Sequence, residues 1–210
     1  DLGTESFSVA SMVDDGSRPL FRFVAPTSVP ERTLPSLPSL LTNTLAKGEA
    51  WPATNRDLNF RLTARDGKGG VSSDDMKIQV VNTGKAFALT SPLVTPLVAG
   101  QTQTIDWDVA GTNAAPINCS KVDLYMTRDE GVNWTLLAGG QPNSGSASVT
   151  IPAGSDGTAR LKVACSDNLF FAISPLKLSV TQRVEGGGGG GGALGFWTLA
   201  LALLGWQRRR

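Results

Sequence analysis

Between Gln103 and Val180, apolar side chains return at every second position: Ile105, Trp107 and Val109; Val122, Leu124 and Met126; Ala147, Val149 and Ile151; Leu161, Val163 and Cys165; Leu176, Leu178 and Val180. Successive side chains of an extended chain point to opposite faces, so each run buries one face and leaves the other in water. Clusters of Gly, Pro, Asn and Asp separate the runs, which marks turns between strands. The 24 Gly, 12 Pro and only 18% charged residues also favour strands and turns over long helices. The expected fold class is all-β.

Adding Phe87–Thr90 and Trp134–Ala138 gives about seven strands over residues 85–182, the spacing of a complete immunoglobulin-like β-sandwich, with Trp107 as a core plug. Residues 1–83 carry a sparser pattern. Leu58, Phe60, Leu62 and Ala64 alternate with Asn59, Arg61, Thr63 and Arg65; after the turn Asp66–Gly70, Met76, Ile78 and Val80 alternate again. This predicts a hairpin with one buried face. A short strand is expected near Leu20–Val24, and one or two helical turns within Pro35–Lys47. These elements are too few to close a sandwich, and a two-stranded hairpin is not stable alone. The stretch Leu58–Gly70 resembles the closing strands of cadherin-like and PKD-like modules, which implies that 1–83 is the C-terminal half of such a module.

Cys119 lies just before one expected strand and Cys165 at the end of another. A bridge between them would close a loop of about 47 residues and stabilise the fold by roughly 3 to 4 kcal/mol in the chain-entropy model. Two free thiols, or a metal pair, are the alternatives. The chain has no histidine and no second Cys pair, so zinc would find too few ligands and the disulfide is preferred.

The lack of histidine also excludes a His-Glu-x-x-His zinc site, a Ser-His-Asp triad and a Cys-His nucleophile from these residues. Neither a Gly-x-Ser-x-Gly elbow nor a Gly-x-x-x-x-Gly-Lys loop occurs. No catalytic, cofactor-binding or metal residue is assigned. The acidic pairs Asp14-Asp15, Asp74-Asp75 and Asp129-Glu130 read as solvated turn charges, since neighbours on a strand face opposite ways. Thr127-Arg-Asp-Glu-Gly-Val-Asn-Trp134 matches the Asp-box pattern Ser/Thr-x-Asp-x-Gly-x-x-Trp. There Asp129 would bind the turn backbone, Gly131 would take positive φ and Trp134 would pack beneath the hairpin, a structural role.

The C-terminus carries a different signal. Gly186, Gly187, Gly188, Gly189, Gly190, Gly191 and Gly192 precede an uncharged run from Ala193 to Trp206, followed by Gln207, Arg208, Arg209 and Arg210. As a helix the run reaches about 21 Å, short of a roughly 30 Å hydrocarbon core. The basic end nevertheless suits a cytoplasmic anchor, and Phe196, Trp197 and Trp206 suit lipid and its interfaces. A buried terminal helix is the alternative. The layout, a Gly-rich linker at 183–192 and a transmembrane helix with a basic end at 193–210, closely resembles the GlyGly-CTERM sorting tail of Gram-negative envelope proteins. That resemblance implies transient anchoring in the inner membrane with the globular part periplasmic, and a cut near the glycines by a rhombosortase-type intramembrane protease. Release or surface retention through the type II secretion machinery would follow.

Such a tail needs prior export, and the sequence starts at Asp1 without a signal peptide, so an upstream region is expected. Without the three terminal arginines, 16 basic residues face 18 acidic ones; nucleic acid is not an expected partner. Residues 58–66, 72–76, 104–116 and 167–174 (for example Thr-Ile-Asp-Trp-Asp-Val-Ala-Gly-Thr-Asn-Ala-Ala-Pro at 104–116) resemble the C-terminal accessory region of secreted bacterial reprolysin-like zinc metallopeptidases. This implies a non-catalytic accessory and sorting region, with zinc only in an upstream protease domain. A cell-surface adhesin or structural surface protein whose sandwiches are binding modules is the alternative.

Overall fold

A computed structural model describes residues 13–28, 31–92 and 96–183. The fold is all-β and sandwich-like, with one short helix, α1 (Leu37–Thr42), inside the stretch where helical turns were expected. Pro38 fits α1's first turn, where a missing N–H costs nothing. Asn43 ends it at φ 51° and donates its backbone N–H to the Ser39 carbonyl, as an αL cap does.

β1 (Arg56–Arg65) and β2 (Val71–Val80) form an antiparallel hairpin in continuous register from Arg56↔Val80 to Arg65↔Val71. The expectation of one buried face is corrected in part. Leu58 is buried, and Phe60, Ile78 and Val80 pack against Leu20, Phe21 and Ala50, but towards the tip Leu62 is 61% and Met76 50% exposed. Too few elements overlie the far half. The strand expected at Leu20–Val24 is also corrected, because the segment is irregular. Leu20 and Phe21 are buried while Phe23 is 89% exposed. Pro19 and Pro26 bracket it, and proline donates no ladder hydrogen bond.

Nine strands follow between residues 88 and 181, where about seven were expected. One sheet pairs β3 (Ala88–Ser91), β5 (Thr102–Asp108) and β8 (Ser146–Thr150) in the order β3-β5-β8. The other runs β4 (Leu97–Val98), β11 (Leu178–Thr181), β9 (Asp156–Cys165), β6 (Lys121–Thr127), β7 (Thr135–Pro142), and β10 (Phe171–Ile173) also pairs with β9. The two additional strands, β4 and β10, are two and three residues long. Trp134 precedes β7, and Val109 and Leu176 lie outside the strands to which their alternation assigned them. Leu176 is exposed in the turn before β11.

The core sits between the sheets: Leu89, Ile105, Trp107 and Val149 from one meet Val122, Leu124, Met126, Leu161, Val163, Leu178 and Val180 from the other. These are the alternating positions, and burying each such side chain contributes roughly 1.5–3 kcal/mol. Among the described residues no helix is long and apolar enough to cross a membrane. The sorting glycines Gly186–Gly192 and the anchor residues Phe196, Trp197, Trp206 and Arg208–Arg210 lie outside the described residues.

Candidate functional site

Cys119 and Cys165 form a disulfide, with Cα atoms 6.1 Å apart. Val122 pairs with Cys165 across β6 and β9, so the bridge joins neighbouring strands of one sheet rather than spanning the sandwich. Asp167 is the third member of a cluster with the two sulfurs, whose ligand atoms lie within 4.8 Å of one another. The sulfurs are spent on each other, so this is not a thiolate metal site. Disulfides persist in oxidising compartments, which makes this an extracytoplasmic domain.

Behind the bridge lies a buried polar hub. The Trp107 indole donates from Nε1 to Asn143 Oδ1 at 2.8 Å, while Asn143 Nδ2 donates to Thr112 Oγ1 and to the Cys119 carbonyl, each at 3.0 Å. Asn143 is thereby satisfied in a site where an unpaired amide would be costly. A lone Asn after a strand carries no sequence signal of this kind, because its partners lie 24 to 36 residues away.

The Asp-box turn caps the opposite end of β6. Asp129 accepts from Thr127 Oγ1 at 2.8 Å, from the Asn133 amide at 2.8 Å and from Asn133 Nδ2 at 2.6 Å. The Asn133 backbone and side-chain bonds, then the Thr127 hydroxyl, hold this carboxyl below the usual aspartate range. Gly131 sits at φ 84° and donates to Thr127 Oγ1 at 2.9 Å. A side chain there would be strained by the backbone alone. Trp134, half-buried, faces Lys162, whose Nζ lies 4.2 Å from the Trp134 ring centre, 4.6 Å from Tyr125 and 5.8 Å from Phe171. Burial lowers the Lys162 ammonium pKa, opposed by the charge of Glu31. This cation–π cluster joins β6, β9, β10 and the turn before β7; its members are scattered over 47 positions of the chain, so no local motif announces it. Beside the turn lies a hollow of about 250 Å³ whose polar lining is Arg128, Asp129, Asn133 and Thr135.

Asp14 is the most strongly perturbed acid among the described residues, and here the reading as a solvated turn charge is corrected. Asp14 is 7% exposed and accepts from the Ala53 and Thr54 amides at 2.7 and 2.9 Å, from Gly16 at 2.9 Å and from Arg56 Nη1 at 2.8 Å. Burial pushes its pKa up, but the Ala53 and Gly16 amides, the Arg56 guanidinium and the Thr54 amide outweigh it and hold the carboxyl far below its ordinary value. Asp74 and Asp75 do face opposite ways: Asp75 pairs with Arg61 at 2.6 Å on one face while Asp74 lies opposite Leu62 on the other.

No family model and no curated protein matches the chain. Among solved structures it is similar to a biofilm associated protein, BSP domain, at 11% identity and a TM-score of 0.28, covering 61% of this chain. The chain spans 19% of that protein's length.

Proposed function

We propose that this chain is the non-catalytic C-terminal accessory and sorting region of an exported bacterial protein, whose proteolytic activity resides in a zinc metallopeptidase domain upstream of Asp1. In this reading the tail from Gly186 to Arg210 anchors the protein transiently in the inner membrane, a rhombosortase-type protease cuts near the glycines, and type II secretion carries the product to the surface or beyond. The observation that carries the non-catalytic part is how the perturbed carboxylates are used. Asp14 and Asp129 turn their oxygens to backbone amides and adjoining side chains, leaving neither free to take a proton from a substrate. The bridge between Cys119 and Cys165 supports export, and the chain's lack of histidine leaves zinc chemistry to residues elsewhere.

Two experiments test the reading. The isolated chain, assayed on casein with added zinc, should release no peptides; robust hydrolysis would overturn it. The coding sequence upstream of Asp1 should contain a His-Glu-x-x-His-x-x-Gly-x-x-His helix, whereas further sandwiches without a zinc motif would favour the surface adhesin instead.

A further inference from the structure

Residues 31–43 run from the hairpin unit onto the rim of the sandwich, and the contacts at the two ends differ in kind. On the hairpin side Leu34 packs against the Leu20–Phe21–Leu58 cluster, and Arg32 Nη2 meets Glu49 at 3.3 Å. On the sandwich side three features converge. The buried guanidinium of Arg160, on β9, donates to the Ser174 and Pro175 carbonyls at 2.8 and 3.2 Å and, from Nη2, to the Leu41 carbonyl at 2.8 Å. Leu37 lies over Gly131 so closely that a Cβ there would stand 3.0 Å from Leu37 Cδ2 and 3.4 Å from Trp134 Cζ2. Lys162 Nζ stands over the Trp134 ring, 4.2 Å from its centre.

We infer that the Thr127–Trp134 turn, together with Arg160, is a socket that seats the 31–43 segment and so holds the hairpin unit and the sandwich in one fixed orientation. A buried guanidinium without a carboxylate is expensive unless its donors are filled. Arg160 already leaves its buried Nε without a partner; its Nη groups meet two sandwich carbonyls and one carbonyl of the incoming segment, so lifting that segment away would leave a further N–H unanswered. Gly131 has a second role besides its positive φ: it is the floor on which Leu37 rests, because a Cβ there would crowd both Leu37 methyls, at 3.0 and 3.3 Å, and force them to shift. The motif thus serves as a joint and needs no ligand.

Spin labels at Lys68→Cys on the hairpin tip and Ser148→Cys on β8 of the full, oxidised chain measure the joint directly. One narrow distance distribution is expected. Leu37→Ser, which changes no sandwich residue, should broaden it and raise the rate of tryptic cleavage at Arg32 and Lys47 by roughly tenfold or more, as a locally opened segment becomes accessible. Arg160→Met should do the same; if that variant unfolds the sandwich, Leu37→Ser decides alone. A broad distribution in the parent chain, or a distribution in Leu37→Ser as narrow as the parent's with unchanged cleavage, overturns the inference.

Discussion

The sandwich and the hairpin unit obey the same period-two pattern and reach different ends. In the sandwich, 17 buried residues from two facing sheets form one cluster. Residues 13–83 bury four in theirs, Leu20, Phe21, Ala50 and Leu58, and leave Phe23, Leu62 and Met76 in water. Alternation states which face of a strand is apolar, but a second layer is what converts that face into a core. Where apolar cover runs out, polar anchoring replaces it: the base of the hairpin is pinned by the buried Asp14–Arg56 pair, whereas the sandwich holds its buried Asn143 in a neutral network and its buried Arg160 on backbone carbonyls.

The largest expected effect falls on the sandwich. Cys119 and Cys165 are 46 residues apart, and replacing both by Ala should cost about 4 kcal/mol in the chain-entropy model. Differential scanning calorimetry should show the sandwich transition fall while the hairpin unit's contribution stays put; a shift of less than about 1 kcal/mol would mean the reduced sandwich is already closed by its core. Next, Asp14→Ala should do the reverse. It leaves Arg56 buried without its carboxylate, at a cost of roughly 3 kcal/mol, and should loosen residues 13–83, read as faster amide exchange at Thr54 and Arg56, while exchange in β5, β6 and β9 is unchanged.

Trp107→Phe sharpens the contrast between polar strategies. The ring volume is largely kept, but Asn143 Oδ1 loses its donor, so the sandwich should lose about 1–3 kcal/mol, measured by urea unfolding. The lowered carboxylates then predict the pH response, since Asp15, Asp66, Asp75 and Asp108 are held below the ordinary value as well. Both Asp14 and Asp129 have folded pKa values below the ordinary 3.8, so the stability they contribute is complete above that value and is lost as pH falls through it towards the folded values. Unfolding free energy should therefore decline below about pH 4. The decline should be shallower in Asp14→Asn; an identical acid limb in that variant would remove Asp14 as its cause.

What the chain revealed before folding divides along the same line. The sandwich strands β5, β6, β8, β9 and β11 were legible because each has at least one period-two pair facing the core, and β3 and β7 because short apolar runs, 87–89 and 136–138, stand between turn residues. β4 and β10 were not, since two or three residues contain no period. The Cys119–Cys165 bridge was readable from composition and compartment, and the Asp-box turn from its fixed spacing, because in both the partners declare themselves locally or by elimination. Asp14 was misread for a physical reason. Two adjacent acids before a glycine look like a wet turn, and only the fold brings residues 53–56, about 40 positions away, over one of them. Arg160 and Lys162 were invisible for the same reason: their acceptors and rings come from other strands and from the 31–43 segment.

The smallest expected effect tests the comparison most directly. Leu58 and Leu62 stand four residues apart on the same face of β1, chemically identical and equally apolar in the pattern, yet one is buried and the other 61% exposed. Leu58→Ala should cost roughly 2–5 kcal/mol as a core truncation, whereas Leu62→Ser should change stability by no more than about 0.5 kcal/mol, both measured by thermal unfolding of the same chain. If Leu62→Ser instead costs more than about 1 kcal/mol, the far half of the hairpin is covered in solution, and the two units differ only in where their second layer comes from. If it costs nothing, the difference is one of architecture: identical side chains in an identical pattern acquire their energetic meaning from the layer opposite them.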